Sequence, residues 1–341
     1  MKMFWHLLEI FGDNKSFRQG RKSMEFRQMS YFLSIVDHRS VSAAAARLGI
    51  AQPSLSDVLG KLERELDVQL MVRTPRGTRL TEAGAALARH SRDILHNVDI
   101  AVQEVRNLGG TNAGGAVSIG LPPSMALLLS VPLAETVRND FPAVRLRIIE
   151  SMSGYVLDWL TSGHVDIACL YDPPDSDQLV VKPLLNEELY LVTAPDHWPS
   201  AEVVDGVAVE GCSFSDVCKL PLVLPSRPHG LREIIERHAR SAGTATNVVM
   251  EVDSLAQILK LVDRASAYTI LSHAACFDAV HDGRVILVPI EKPALKRTAY
   301  LARRGDRPAS SASLQVESVI GTILEEAINR FNLRAQLAAT R

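Results

Sequence analysis

Residues 40–81 read SVSAAAARLGIAQPSLSDVLGKLERELDVQLMVRTPRGTRLT. Ser40 stands where a helix N-cap is needed, before the alanine run 43–46. Alanine favours helix, and its small side chain lets a second helix come close. Leu48 turns inward, and Gly49 can take the positive φ that closes a helix. Gln52-Pro53 opens the next helix, where a proline leaves no N–H unsatisfied. Leu55, Val58, Leu59, Leu62 and Leu66 share one face of it at helical spacing. The opposite face carries Pro53, Asp57, Gly60, Lys61 and Arg64, with Ser54 and Ser56 at its margins. Then QLMVR-TPRG-TRL reads as strand, turn and strand, with Pro75 and Gly77 in the turn. Arg73, Arg76 and Arg79 project from a hairpin too short to have a core of its own. Two helices around a glycine turn, followed by a basic hairpin, outline a winged helix-turn-helix. Short polar side chains at a helix start allow close approach to base edges, and the N-terminal N–H groups favour a phosphate. The hairpin arginines suit phosphates or the minor groove.

Upstream, Phe26, Met29, Phe32, Leu33, Ile35 and Val36 form one stripe of a helix over about 26–38. Downstream, Thr81 caps a long helix to about Leu108. Leu87, Ile94, Val98, Ala101, Val105 and Leu108 follow a 3-4 spacing on it, interrupted by Ser91. Such a seam between domains needs a partner helix, which predicts a homodimer with two recognition helices on two half-sites. The plainer alternative is an amphipathic helix packed on its own chain. Gly109 to Gly115 (GGTNAGG) reads as a flexible linker. It lacks the GK[ST] ending of a phosphate-binding loop.

From residue 116 onward strand and helix signals alternate. Strands are expected at 116–120, 144–150, 165–170, 189–193, 221–224, 248–252, 268–271, 285–289 and 298–302. Helices are expected at 125–139, 154–162, 230–242, 254–264, 273–281 and 313–331. The alternation predicts an α/β region of two lobes with mostly parallel sheets, whose crevice takes a small ligand. Three junctions fit a crevice lining: Pro123-Ser124-Met125, Ser226-Arg227-Pro-His229, and Tyr268-Thr269-Ile270. Hydroxyls and helix N-termini there could hold a carboxylate, with Arg227 or His229 as charge partner. Taken singly, Ser124 could equally be an ordinary N-cap and Arg227 a surface residue.

Composition sets bounds on this reading. A chain of 341 residues, 47% hydrophobic, suggests two or three domains with sizeable cores. A mean hydropathy of +0.07 fits a soluble globular protein. The net charge of −2 does not announce a nucleic-acid partner. Residues 24–80, however, hold eight Lys and Arg against six Asp and Glu. No apolar run is long enough to span a membrane. Cys169, Cys212, Cys218 and Cys276 form no CxxC pair or His/Cys cluster at metal-ligand spacing, so neither metal nor cofactor is expected. Cys212 and Cys218 invite a redox-switch reading, against which stands that of ordinary thiols in a reducing cytosol. Hydrolase, P-loop and dinucleotide motifs are absent, which argues against an enzyme. A two-lobed solute-binding protein is the competing class, but it leaves residues 40–81 unexplained.

Residues 26–85 resemble the DNA-binding domain of LysR-type transcriptional regulators. The resemblance rests on Phe32 and Val36, Ser42 with Ala45-Ala46, Leu48, Gln52-Pro53 with Ser56, Leu62-Glu63 with Leu66, Arg73, and Leu80-Thr81 with Ala83-Gly84. GLPPSMA, IIESMSGYVLDWL, VDIACLYDPP, LVLPSRPHGLR and EVDSLAQILKLV resemble the same family's effector domain. They are most like the subgroup of nitrogen-assimilation control regulators. The resemblance implies an N-terminal all-α winged helix-turn-helix with a long linker helix, and a C-terminal α/β two-lobed effector domain like periplasmic binding proteins. It also implies a cytoplasmic dimer of dimers on an interrupted palindrome of double-stranded DNA, gated by a small-molecule effector such as a carboxylate and touching RNA polymerase. By position, Gln52, Pro53, Ser54 and Ser56 would read or approach bases, with Ser40, Asp57 and Lys61 beside them. Arg73 and Arg76 would hold the backbone or minor groove. Pro123, Ser124, Met125, Ser153, Gly154, Ser226, Arg227 and Thr269 would line the effector cleft.

Three positions depart from the pattern. Asp57 stands where a basic or polar residue is usual, and could accept from a cytosine amino group. Met71 replaces a wing phenylalanine. Ala265-Ser266-Ala267 replaces a glycine pair before the YTIL strand. The expected organisation is an extension at 1–23, with Met24 as an alternative start. A DNA-binding domain at 24–82, a linker helix and linker at 83–115, an effector domain at 116–331 and a tail at 332–341 follow.

Overall fold

The computed structural model describes residues 24–74, 77–108, 114–171, 173, 176–198, 202–227 and 229–338. The expectations for residues 1–23, for Arg76 and for most of the 109–115 linker lie outside them. The chain divides into two compact units, Met1–Val98 and Asp99–Arg341.

In the first unit, α1 (Phe26–His38), α2 (Val41–Leu48) and α3 (Gln52–Leu66) precede the hairpin β1 (Met71–Thr74) and β2 (Gly77–Leu80). The long helix α4 (Glu82–Leu108) follows. Local chemistry sets each boundary. Gln28 Oε1 accepts the Glu25 N–H at 2.8 Å and starts α1. Ser40 Oγ accepts the Ala43 N–H at 3.3 Å and starts α2, which Gly49 ends at φ 68°. Glu63 reaches from α3 to accept the N–H groups of Leu70 and Met71, at 2.8 and 3.3 Å, and so fixes where the hairpin begins. Thr81 Oγ1 accepts the Gly84 N–H at 3.0 Å and donates to Gln69 O at 2.7 Å. Arg92 on α4 pairs with Asp37 on α1 at 2.7 Å. Phe32, Ile35, Ala44, Ala45, Leu55, Leu62 and Leu70 fill the core between these elements.

The second unit continues with β3 (Gly115–Leu121), α5 (Pro123–Asp140), β4 (Val144–Glu150), α6 (Ser153–Thr161), β5 (Ile167–Tyr171) and the long β6 (Leu179–Thr193). Next come the short β7 (Val203–Val204), β8 (Val207–Ala208), β9 (Cys212–Ser213) and α7 (Phe214–Val217). Then β10 (Leu222–Leu224), α8 (Gly230–Ser241), β11 (Val248–Glu251), α9 (Leu255–Asp263) and β12 (Thr269–Ser272) follow. The unit closes with α10 (Phe277–His281), β13 (Ile286–Glu291), β14 (Leu295–Arg304), α11 (Ser311–Arg330) and β15 (Ala335–Leu337).

These elements build two lobes. The first packs β3, β4 and β5 against α5 and α11 through Val117, Ile119, Leu129, Val316 and Ile320. The second packs β10, β12 and β13 against α8 and α9 through Val223, Ile235, Ile258, Ile270 and Leu287. Two strands belong to both. On β6, Leu185 sits in the first core and Leu189 to Val192 in the second. On β14, Ala299 and Leu301 sit in the first core and Leu295 in the second. These strands pair antiparallel with each other and carry the chain between the lobes.

The expectation of mostly parallel sheets does not hold. The β3 pairings with β4 and β5 and the β10–β11 pairing are parallel, but β14 runs antiparallel to β5 and β6. β12, β13 and β15 are likewise antiparallel to β6. A βαβ pattern predicts parallel neighbours only where chain order and sheet order coincide, and the crossing strands break that relation. Residues 335–337, read from sequence as tail, pair with β6 at Leu185–Glu187.

Candidate nucleic-acid interface and ligand cleft

In the first unit, α3 separates its faces as its pattern requires. Leu55 and Leu62 are buried, whereas Gln52, Pro53, Ser54, Asp57 and Lys61 are exposed and Ser56 is half-buried. Gln52 Nε2 donates to Ser56 Oγ at 3.1 Å, so two of the expected base readers are held together one turn apart. Lys61 lies 3.9 Å from Glu65, a contact too exposed to fix it. Ser40 is half-buried, and its hydroxyl caps α2. Arg73 lies on β1, though its side chain is outside the described set. The wing is anchored to the helices by its backbone: Thr78 N–H donates to Arg39 O at 2.9 Å. A side chain at Gly77, φ 116°, would meet that same carbonyl at 2.5 Å.

In the second unit, a cavity of about 40 Å³ lies between the lobes. Pro122, Pro123 and Ser124 line it from the start of α5, and Met152 from the start of α6. From the second lobe come Pro225, His229 and Leu231 around the start of α8, and Asp253 and Leu255 around the start of α9. Tyr171 and Arg297 complete its floor. Several helix N-termini thus converge on one small space, an arrangement that favours an anion. So small a volume holds about one water, which makes this a closed cleft.

At its floor lies a buried polar network that joins the lobes. Arg297 on β14 donates to Glu187 Oε2 on β6 at 2.9 Å, to Ser272 Oγ of the second lobe at 2.9 Å and to Ser124 Oγ of the first at 3.2 Å. Tyr171 OH donates to Glu187 Oε2 at 3.2 Å and lies 2.9 Å from Ser124 Oγ. The guanidinium stacks over the Tyr171 ring at 3.9 Å. The Arg297 and Glu187 side chains are only 4% and 1% exposed. Burial opposes the Arg297 charge, but the Glu187 carboxylate more than offsets it and holds its pKa above the ordinary value. Burial pushes the Tyr171 phenol up, so it remains a donor. Burial, with the Arg297 charge adding to it, takes His229 down to about 4, so the ring is neutral at pH 7.

Among the sequence-derived cleft residues, Pro123, Ser124 and His229 line the cavity. Met125 does not, because it is fully buried in the first lobe's core. Thr269 is also buried, and its hydroxyl donates to Val223 O at 2.8 Å. Ser226 donates through N–H and Oγ to the Asp253 carboxylate, at 2.8 and 2.7 Å, which holds that carboxyl below its ordinary pKa. Arg227 is exposed and pairs with Glu236 on α8 instead of facing the cleft. Gly154 is outside the lining, and the Ser153 side chain is outside the described set. Tyr171, Glu187, Ser272 and Arg297 were missed. Strand periodicity could have placed Glu187 and Arg297 on an inward face, but their partnership spans 110 residues.

All four cysteines are free. Burial raises every thiol, Cys212 to about 11 and Cys169 to about 12. They are therefore protonated and poor nucleophiles at pH 7. No His, Cys, Asp and Glu group among the described residues could hold a metal.

Two family matches fall on these two regions. Residues 26–85 match the bacterial regulatory helix-turn-helix protein, lysR family, and residues 110–326 match the LysR substrate binding domain. The chain belongs to the LysR family. It is a DNA-binding transcriptional regulator with an effector-binding domain. The nitrogen assimilation regulatory protein nac of Klebsiella aerogenes is 35% identical over 253 residues, 74% of this chain and 79% of that one. The Escherichia coli K12 protein of the same name is 31% identical over the same shares. A full-length OxyR variant of Pseudomonas aeruginosa has the same fold, with a TM-score of 0.65 at 22% identity, covering 89% of this chain and 96% of that one. The curated relatives are regulators, and none of these matches favours a solute-binding protein without a DNA function. Among the described residues no helix is long and apolar enough to cross a membrane.

Proposed function

We propose that this LysR-family regulator reads an interrupted palindrome with α3 and responds to a small carboxylate bound between its lobes. Gln52, Pro53, Ser54, Ser56 and Asp57 approach base edges, while Lys61, Arg73 and Arg76 contact phosphates or the minor groove. The domains divide near residues 24–82, 83–115 and 116–331. Two chains pair through α4, where Ile94, Val102 and Val105 are 37%, 43% and 69% exposed. That apolar stripe needs a partner helix. Two such dimers form the tetramer, in the cytoplasm, and contact RNA polymerase.

The observation that carries the effector reading is Arg297, a buried cation bonded to both lobes at the floor of a cleft ringed by helix N-termini. A ligand carboxylate would compete with Glu187 for Arg297 and exchange the Ser124 and Ser272 contacts for its own. That exchange opens the closed cleft and changes the angle between the lobes. The test is a thermal-shift screen of small carboxylates. A binder raises Tm by mass action, and Ser124→Ala weakens it. If no carboxylate raises Tm in the wild type, the effector class is wrong. If a binder is unaffected by Ser124→Ala, the cleft is the wrong site.

A further inference from the structure

The β6–β14 ribbon has a second face. Directly paired residues of an antiparallel ladder share a face, and neighbours along a strand alternate. Arg297 pairs with Glu187 in register, and both belong to the cleft network. Lys296 and Thr298 pair with Glu188 and Asn186, so these four project from the opposite face. Gln336 on β15 is in register with Asn186 and joins them. A groove of about 670 Å³ opens over this face. That is within the range of small-ligand pockets and far larger than the cleft cavity.

The groove's chemistry is cationic. The cations Arg237 from α8, Lys296 from β14 and Arg334 from the segment leading into β15 line it, with the His238 ring next to Arg237. Against these cations stands Glu188, whose carboxylate lies 3.3 Å from Lys296 Nζ and accepts from Tyr190 OH at 3.2 Å. Glu187 and Arg297 at the margin neutralise each other. The floor adds neutral donors. Thr298 Oγ1 donates to Asn186 Oδ1 at 2.8 Å, which leaves the Asn186 NH2 group to donate into the groove.

We infer that this groove is a second ligand site, for a small dianion carrying carboxylate or phosphate groups. Its donors come from the strands joining the lobes, from the second lobe's α8 and from the chain's C-terminal strand. An occupant therefore clamps the ribbon from behind, while the cleft ligand meets its other face. The inference is independent of what the cleft binds.

Isothermal titration of the full-length protein with sodium succinate and, separately, with inorganic phosphate tests it, with ionic strength held constant by KCl. Saturable binding of either ion is expected, with Kd raised at least tenfold in Lys296→Gln/Arg334→Gln. Both substituted side chains serve no core, and far-UV circular dichroism confirms that the variant is folded. Lys219→Gln, an exposed lysine outside both the groove and the cleft, should leave Kd within twofold. Succinate alone binding identifies a carboxylate ligand, and phosphate alone a phosphorylated one. Three results overturn the inference: no saturable binding of either ion, unchanged Kd in the groove variant, or an equal loss of binding in Lys219→Gln.

Discussion

Glu187 and Arg297 show how much depends on single side chains. Both are buried, and each satisfies the other's charge. Removing one partner leaves an uncompensated buried ion, which costs about 3–5 kcal/mol. Glu187→Gln should therefore lower the urea midpoint substantially, and adding Arg297→Met should restore most of it. An unchanged midpoint in the single variant would mean that the pair is more hydrated than its burial implies. Two histidines set a pH dependence. Burial takes His229 and His273 from about 6.5 down to about 4. Between those values the unfolded chain binds protons that the native protein does not. Stability should then be flat above pH 6.5, fall as pH drops toward 4, and lose this contribution fully below 4. Chemical denaturation from pH 4.5 to 7.5 measures the slope, and His229→Gln with His273→Gln should flatten it. A slope unchanged in the double variant would assign the loss to carboxylates such as Asp253. None of these partnerships was visible in sequence, because residues up to 110 positions apart meet only after both lobes form.

At the scale of the element, the helix-turn-helix was legible because its determinants are local. The Ser40 cap, the Gly49 turn and the two faces of α3 each depend on residues within a few positions. Two glycines separate packing from propensity. A Cβ on Gly84 would lie 2.0 Å from Leu70 O, where α4 crosses the hairpin start, whereas one on Gly60 meets nothing within 4 Å. Gly84→Ala should destabilise by about 1–3 kcal/mol through overpacking. Gly60→Ala, inside α3, should stabilise by about 0.5–1 kcal/mol. Equal effects of the two in thermal melts would contradict this placement of α4. The long β6 was the least legible element. Only its apolar end, 189–193, was expected, because Pro183 and the polar run 186–188 conceal a strand running from Leu179.

At the scale of the whole molecule, strand and helix alternation revealed an α/β region of two lobes. The antiparallel crossing strands stayed hidden, since strand direction is a property of the sheet and not of the segment. What the cleft floor contains followed from that crossing, so the site was only half readable: Pro123, Ser124 and His229 were found, while Tyr171 and Arg297 were not. The exposed face of α3, proposed to read DNA, needed no such crossing. The central claim is that this face, and not some other surface, holds the DNA. It is tested most directly by fluorescence anisotropy of the protein's upstream DNA between 50 and 200 mM KCl, comparing wild type, Ser56→Ala and Arg73→Ala. The account predicts salt-sensitive binding in which Arg73→Ala weakens all sequences and reduces the log–log salt slope by about 1. Ser56→Ala should keep that slope and lose preference for the specific site. Wild-type slope and preference in both variants would contradict it.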